Sequence, residues 1–172
     1  DDAALTVVAG FFKADPQTPF EAAMGATVLP LEDDIDPATF LPSSRSLALR
    51  RSAALTVQGY PEWLDYCEDL IFDMQLKQTQ PPFVFVPDAF VWFRPRSDFV
   101  AFFKQYYRYA RGDGKADLWR KRHAIRYLTY VGLVPLITWM AFTLHPFFWA
   151  LFLVGGIIYL YAPYRRLPVV MQ

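Results

Sequence analysis

The chain has 172 residues with 17 basic and 17 acidic side chains, so its formal net charge is zero. That length suits one domain or a piece of a larger one, and the single cysteine, Cys67, excludes an internal disulfide. Charge is unevenly spread: residues 1–40 carry eight acids against Lys13, residues 101–126 carry eight bases against Asp113 and Asp117, and residues 127–164 have no Asp, Glu, Lys or Arg.

The opening "DDAALTVVAGFF" is acidic and lacks the basic start of a secretory signal. Leu5 to Phe12 reads as a buried strand. An apolar stretch, "FEAAMGATVL", follows and reads as helix. "PLEDDIDPATFLP" is an acidic, proline-bounded loop. Its Asp34-Ile35-Asp36 has the acid-x-acid form of a metal site, but no strand end leads into it, so it reads as a solvated loop. A short strand over Leu47–Leu49, a small helix and the turn "QGYPE" come next.

"EWLDYCEDLIFDMQLKQ" has helical apolar spacing at Cys67, Leu70, Ile71 and Met74. Asp65 stands as N-cap with Glu68 three residues on, a capping-box spacing. The adjacent acids Glu68 and Asp69 therefore have two readings, helix capping and proton abstraction. "PPFVFVPDAFVWFRPR" reads as two short strands separated by Pro87-Asp88. "SDFVAFFKQYYRYARGDGKADLW" opens on an N-cap pair, Ser97-Asp98, and continues as an amphipathic helix. Phe99, Phe102, Phe103, Tyr106 and Ala110 line one face, while Lys104, Gln105, Arg108 and Arg111 populate the others. Just ahead of an apolar run, such a helix suits a membrane surface.

The uncharged run is too long for one helix and contains a turn signal, His145-Pro146. It reads as two spans, about 127–144 and 147–163. The first covers roughly 27 Å at about 1.5 Å per residue, close to the hydrocarbon thickness of a bilayer. Membrane helices tolerate a proline such as Pro135 where neighbours re-satisfy the backbone. "RKRHAIR" precedes the first span and Arg165-Arg166 follows the second, which predicts cytoplasmic flanks with the turn outside. A helical pair buried in a soluble core is the alternative, and it leaves the basic flanks unexplained.

Taken together, "SSRSLALRR", "GYPEWL", "YCEDLIFDMQL", "FVFVPDAFVWFRPR" and "QYYRYARGDG" ahead of membrane helices resemble the C-terminal half of a bacterial membrane-bound family 2 glycosyltransferase of the GT-A type. The resemblance covers roughly residues 7–126. It implies an α/β fold in three parts: the acceptor side of the catalytic domain over 1–96, an interfacial helix and basic linker over 97–126, and a two-helix transmembrane hairpin over 127–166.

The resemblance also implies a role for the acid pair. Asp69 would take the proton of an acceptor hydroxyl as its oxygen attacks the anomeric carbon, with Glu68 beside it. Gln105, Arg108 and Tyr109 match the Gln-x-x-Arg-Trp pattern of processive members, with Tyr in place of Trp. There the arginine binds the departing diphosphate and the aromatic floors the acceptor site. For Arg108 a lipid-headgroup contact is an equal alternative, and Lys104 and Arg111 read as headgroup contacts. Tyr109, and the Gly-Asp-Gly after it, point to non-processive synthesis of an envelope or lipid-linked glycan. The implied partners are a nucleotide-sugar donor, a hydroxyl-bearing glycan or lipid acceptor, and membrane lipid, at the bacterial inner membrane with the catalytic part cytoplasmic.

Family members bind Mg²⁺ or Mn²⁺ through an Asp-x-Asp in an N-terminal half that does not precede Asp1. The expectation is therefore of a fragment that binds no metal and transfers no sugar alone. A non-enzymatic two-span anchor would explain the apolar hairpin but leave Glu68-Asp69 and the Gln105–Tyr109 pattern as accidents. Nucleic acid is not an expected partner, because the basic region abuts an apolar span.

Overall fold

A computed structural model describes residues 5–80 and 82–171; the opening Asp1-Asp2 lies outside them. The fold is mixed α/β, mostly helical around a small sheet. Its elements are β1 (Val7–Ala14), α1 (Pro19–Val28), β2 (Leu47–Leu49), α2 (Arg51–Thr56), α3 (Glu68–Thr79), β3 (Val84–Phe93), α4 (Phe99–Lys115), α5 (Arg120–Tyr127), α6 (Val134–Thr143) and α7 (Trp149–Val170).

The sheet order is β2-β1-β3. β1 runs antiparallel to β2, pairing Val7 with Leu49 and Ala9 with Leu47. It runs parallel to β3, pairing Val8 with Val84 and Ala14 with Phe93. The two strands expected around Pro87-Asp88 are thus one strand, in which the proline makes a bulge instead of a break. The register steps from Ala9↔Phe85 to Phe11↔Phe90, so Gly10 alone faces residues 86–89.

Gly10 is what the bulge requires. A Cβ there would meet the Ala89 carbonyl oxygen at 1.7 Å and Ser46 Oγ at 2.5 Å, a close approach that an interior glycine permits. Ser46 Oγ donates to that same carbonyl at 3.3 Å. Gly10→Ala should therefore force the two strands apart and cost about 3 kcal/mol, read as a lowered unfolding midpoint. An unchanged midpoint would contradict this account of the bulge.

Val7, Ala53, Phe72, Leu76 and Phe83 form the buried core beneath the sheet, with Leu47, Leu49, Ala54 and Val57 packed around it. α1 is fixed at its start by Thr18, which accepts from Glu21 N at 3.2 Å, with Pro19 at the first turn. Glu21 is fully buried yet paired, with Arg94 Nη2 3.0 Å away at the end of β3. The Gln17 N–H, then Arg94, hold its carboxyl below the usual range.

At the C-terminal end, α5 and α6 join through a π-helical turn, Leu128–Leu133, into one helix from Arg120 to Thr143. The wide turn lies just before Pro135, whose missing N–H and bulky ring disrupt a regular helix. A second helix runs from Pro146 to Val170. Both are long and apolar enough to cross a membrane, and their apolar windows are only 11% and 0% buried. They do not serve as core helices within this chain.

The second helix does not stop near residue 163. It continues through Pro163 and Pro168, because its end packs on α1 and the loop after it. A Cβ on Gly25 of α1 would sit 3.3 Å from Val170 Cγ1, and Arg165 and Arg166 both donate to Asp34. Asp34 is therefore a clamp, its carboxyl drawn below the ordinary range by the two arginines and Leu31 N–H against the opposing effect of burial. Asp36, the other acid of the triplet, accepts from Ala38 N and Thr39 Oγ1, a local turn cap.

Candidate active site

α3 starts later than its sequence suggests. Asp65 is not the N-cap; it lies outside the helix and pairs with Lys115 at 3.5 Å and Arg111 at 3.8 Å on α4. Cys67 occupies the cap position in a left-handed conformation, φ 65°. With no side chain capping from outside, Asp69 does the work from within: its Oδ1 accepts from Leu70 N at 3.0 Å.

Burial raises the Asp69 pKa above the ordinary carboxylate value, and the neighbouring Glu68 charge adds to the rise; the Leu70 N–H and Arg45 partly offset both. A carboxylate with a raised pKa is a stronger base when ionised.

α4 forms the facing wall, capped by Asp98, which accepts from Ala101 N at 2.9 Å. Its apolar residues divide between two directions. Phe102, Tyr106 and Ala110 line a cleft, while Phe99 and Phe103, expected on the same face, are 68% and 60% exposed. On the cleft side, Arg96 Nε donates to Gln105 Oε1 at 2.8 Å and Gln105 Nε2 donates to the Tyr109 hydroxyl at 2.7 Å. Tyrosine suits this position where tryptophan would not, because an indole N–H cannot accept. The Arg108 guanidinium lies 5.5 Å from the Tyr66 ring centroid, a cation–π distance.

The cleft between these walls has a volume of about 830 Å³. Glu68 and Asp69 at the head of α3, and Gln105, Arg108 and Tyr109 on α4, all line it. So do Arg45, Arg96, Lys104, Arg122 and Arg126. Lys104, read from sequence as a headgroup contact, faces the cleft, and Arg111 is engaged by Asp65. An acid pair set among six cations can take a proton at one point and hold an anion at another. Among the described residues no group of three or more His, Cys, Asp or Glu side chains is placed to hold a metal ion.

Sequence reasoning missed Arg96 and Arg122 as cleft residues, although both sit in stretches it singled out. It also missed Asp73, whose spacing from Asp69 was visible as one helical turn. Asp73 is 1% exposed, and neither carboxylate oxygen has a hydrogen-bond partner among the described residues. Burial, then the Asp69 charge, pushes its pKa up to about 7 against the pull of Lys77.

A folded-state pKa raised this way means the folded protein holds the proton more tightly than the unfolded chain. Stability then falls as pH rises from the ordinary carboxylate range through about 7. Asp73→Asn, always neutral, should be more stable than the parent at pH 8, by at most about 4 kcal/mol, with no gain at pH 4. A pH-independent difference in melting temperature would contradict this.

The profile of the family described as "Glycosyl transferase family group 2" matches residues 34–170. No curated protein and no solved structure gives a significant match.

Proposed function

Because the chain belongs to glycosyl transferase family group 2, we propose that its cleft is the acceptor side of an inverting sugar transferase that uses a nucleotide-sugar donor and a hydroxyl acceptor. The observation that carries this reading is convergence. Glu68-Asp69 and Gln105-Arg108-Tyr109 are far apart in sequence and carry complementary chemistry, yet they line one cleft.

In this reading Asp69 takes the acceptor hydroxyl proton while that oxygen forms its bond to the anomeric carbon. The bond from that carbon to the diphosphate oxygen breaks on the opposite face, which inverts the configuration. The leaving diphosphate gains negative charge, and Arg108 offers it a planar pair of donors. Glu68 raises the basicity of Asp69, and the Arg96–Gln105 contact holds the Tyr109 hydroxyl and ring in place. In this reading the cleft supplies the acceptor side, and the donor nucleoside and Mg²⁺ or Mn²⁺ are not assigned to its residues.

The two apolar helices are proposed to span the bilayer as a hairpin with both outer ends at the cytoplasmic face. Three features support that arrangement. Basic residues flank both helices, the connecting turn at His145-Pro146 has no Lys or Arg, and both outer ends attach to the soluble part, through Arg122 with Asp113 and through Arg165 and Arg166 with Asp34. A non-processive enzyme making an envelope or lipid-linked glycan fits this placement.

The test is transfer from a panel of labelled nucleotide-sugars by the full-length protein in membranes. Label should appear in a glycan or lipid product with inverted anomeric configuration. Retained configuration, or no transfer above membranes lacking the protein, would overturn the proposal.

A further inference from the structure

The Gly-Asp-Gly that follows Tyr109 has no part in the chemistry above, yet Asp113 is 6% exposed and joins three elements. Its Oδ2 lies 3.2 Å from His123 Nε2 and accepts from Arg122 Nη2 at 3.4 Å, both on α5. Its Oδ1 lies 3.5 Å from Cys67 Sγ, and that thiol is also 3.5 Å from the Tyr109 carbonyl oxygen. The neighbouring Gly112 allows the contact: a Cβ there would meet the Tyr66 carbonyl oxygen at 2.6 Å and Cys67 Sγ at 2.9 Å. Burial, then Asp113, pushes the Cys67 thiol up to about 12, so it remains an S–H donor.

Cys67 is the residue directly before the acid pair, and its left-handed backbone is strained for a side chain other than glycine. Such a conformation persists only where its surroundings hold it. Here the holding surface is Gly112-Asp113, and Asp113 is anchored in turn to the start of the long helix that carries Arg122 and Arg126 into the cleft.

We propose that Asp113 is a positioning residue: it locks the Cys67 turn against α5 and thereby sets the Asp69 carboxylate at its place in the cleft. The inference rests on the transferase reading for its consequence in activity, but the lock itself is a separate physical claim. Misplacing a reacting group by about 1 Å costs roughly 100-fold in rate.

The test uses the full-length enzyme in membranes, with the variants Asp113→Ala and Asp113→Asn. Two quantities are read: the rate at which a maleimide labels Cys67, followed on its own peptide by mass spectrometry, and kcat beside donor affinity. Asp113→Ala should label Cys67 at least about 10-fold faster than the parent and lose roughly 100-fold in kcat, with donor affinity unchanged. Asp113→Asn keeps an acceptor oxygen and should fall between, which preserves the test if the alanine variant does not fold.

Unchanged labelling in both variants overturns the lock. Faster labelling with unchanged kcat, or donor affinity lost in step with kcat, overturns the positioning role. If the parent enzyme itself transfers no sugar, the transferase reading fails, and labelling alone then decides for or against the lock.

Discussion

Asp69→Asn in the full-length enzyme should lower kcat for sugar transfer by about 1000-fold while leaving nucleotide-sugar affinity within a factor of about two. General-base catalysis contributes roughly 100- to 10,000-fold, and asparagine removes the base while keeping size and shape. Its side-chain oxygen can still accept from Leu70 N, as Asp69 Oδ1 does at 3.0 Å, so the head of α3 stays formed. Donor affinity is spared because the diphosphate is assigned to Arg108 on the opposite wall. Initial rates and a donor binding isotherm on the same preparation separate the two effects. Turnover near the parent level would remove Asp69 from the proton transfer, and joint loss of rate and donor affinity would point to a collapsed site.

Arg108→Ala should weaken binding of the nucleoside diphosphate product by roughly 30-fold, the range for losing charge-assisted hydrogen bonds to a phosphate. Arg108→Lys should recover only part of this, since an ammonium cannot make the paired contact. Arg108 is exposed and cradled by the Tyr66 ring, so truncation leaves no buried group unpaired and folding should be unaffected. A headgroup contact predicts a different pattern: product affinity stays as in the parent, and the protein is extracted from membranes at lower detergent. Isothermal titration with the diphosphate, beside a detergent extraction series, reads both.

What the sequence made legible follows from which forces are local. β2 matches its expected range and α1 starts within a residue of expectation, because apolar runs, Thr18-Pro19 and Asp98 act over a few residues. The start of α3 is not legible locally, since Cys67 at its cap packs against Gly112 and Asp113, far along the chain. Pro87 reads locally as a strand break, and only Gly10 on the neighbouring strand turns it into a bulge. Likewise Pro163 suggests a helix end until Asp34 and Gly25 supply contacts that carry α7 to Val170.

For the site, the family resemblance named five residues that line the cleft, but not the network around them. Arg96 joins through Gln105, and Arg122 through Asp113. In one dimension these arginines read as a strand end and a membrane flank. Asp73 went unnoticed because a carboxylate on a helix is usually solvated, and its burial depends on packing that no local pattern reports.

The pH dependence of kcat/KM for the acceptor, measured in the parent and in Glu68→Gln, tests the central claim most directly. Asp69 must be ionised to act, so activity should fall on the acid side with an apparent pKa above the ordinary carboxylate value, because of burial first and Glu68 second. Removing the Glu68 charge makes Asp69 easier to ionise, so the acid limb should move to lower pH without reaching the ordinary value. An acid limb that does not move, or none at all, would contradict a proton-accepting Asp69.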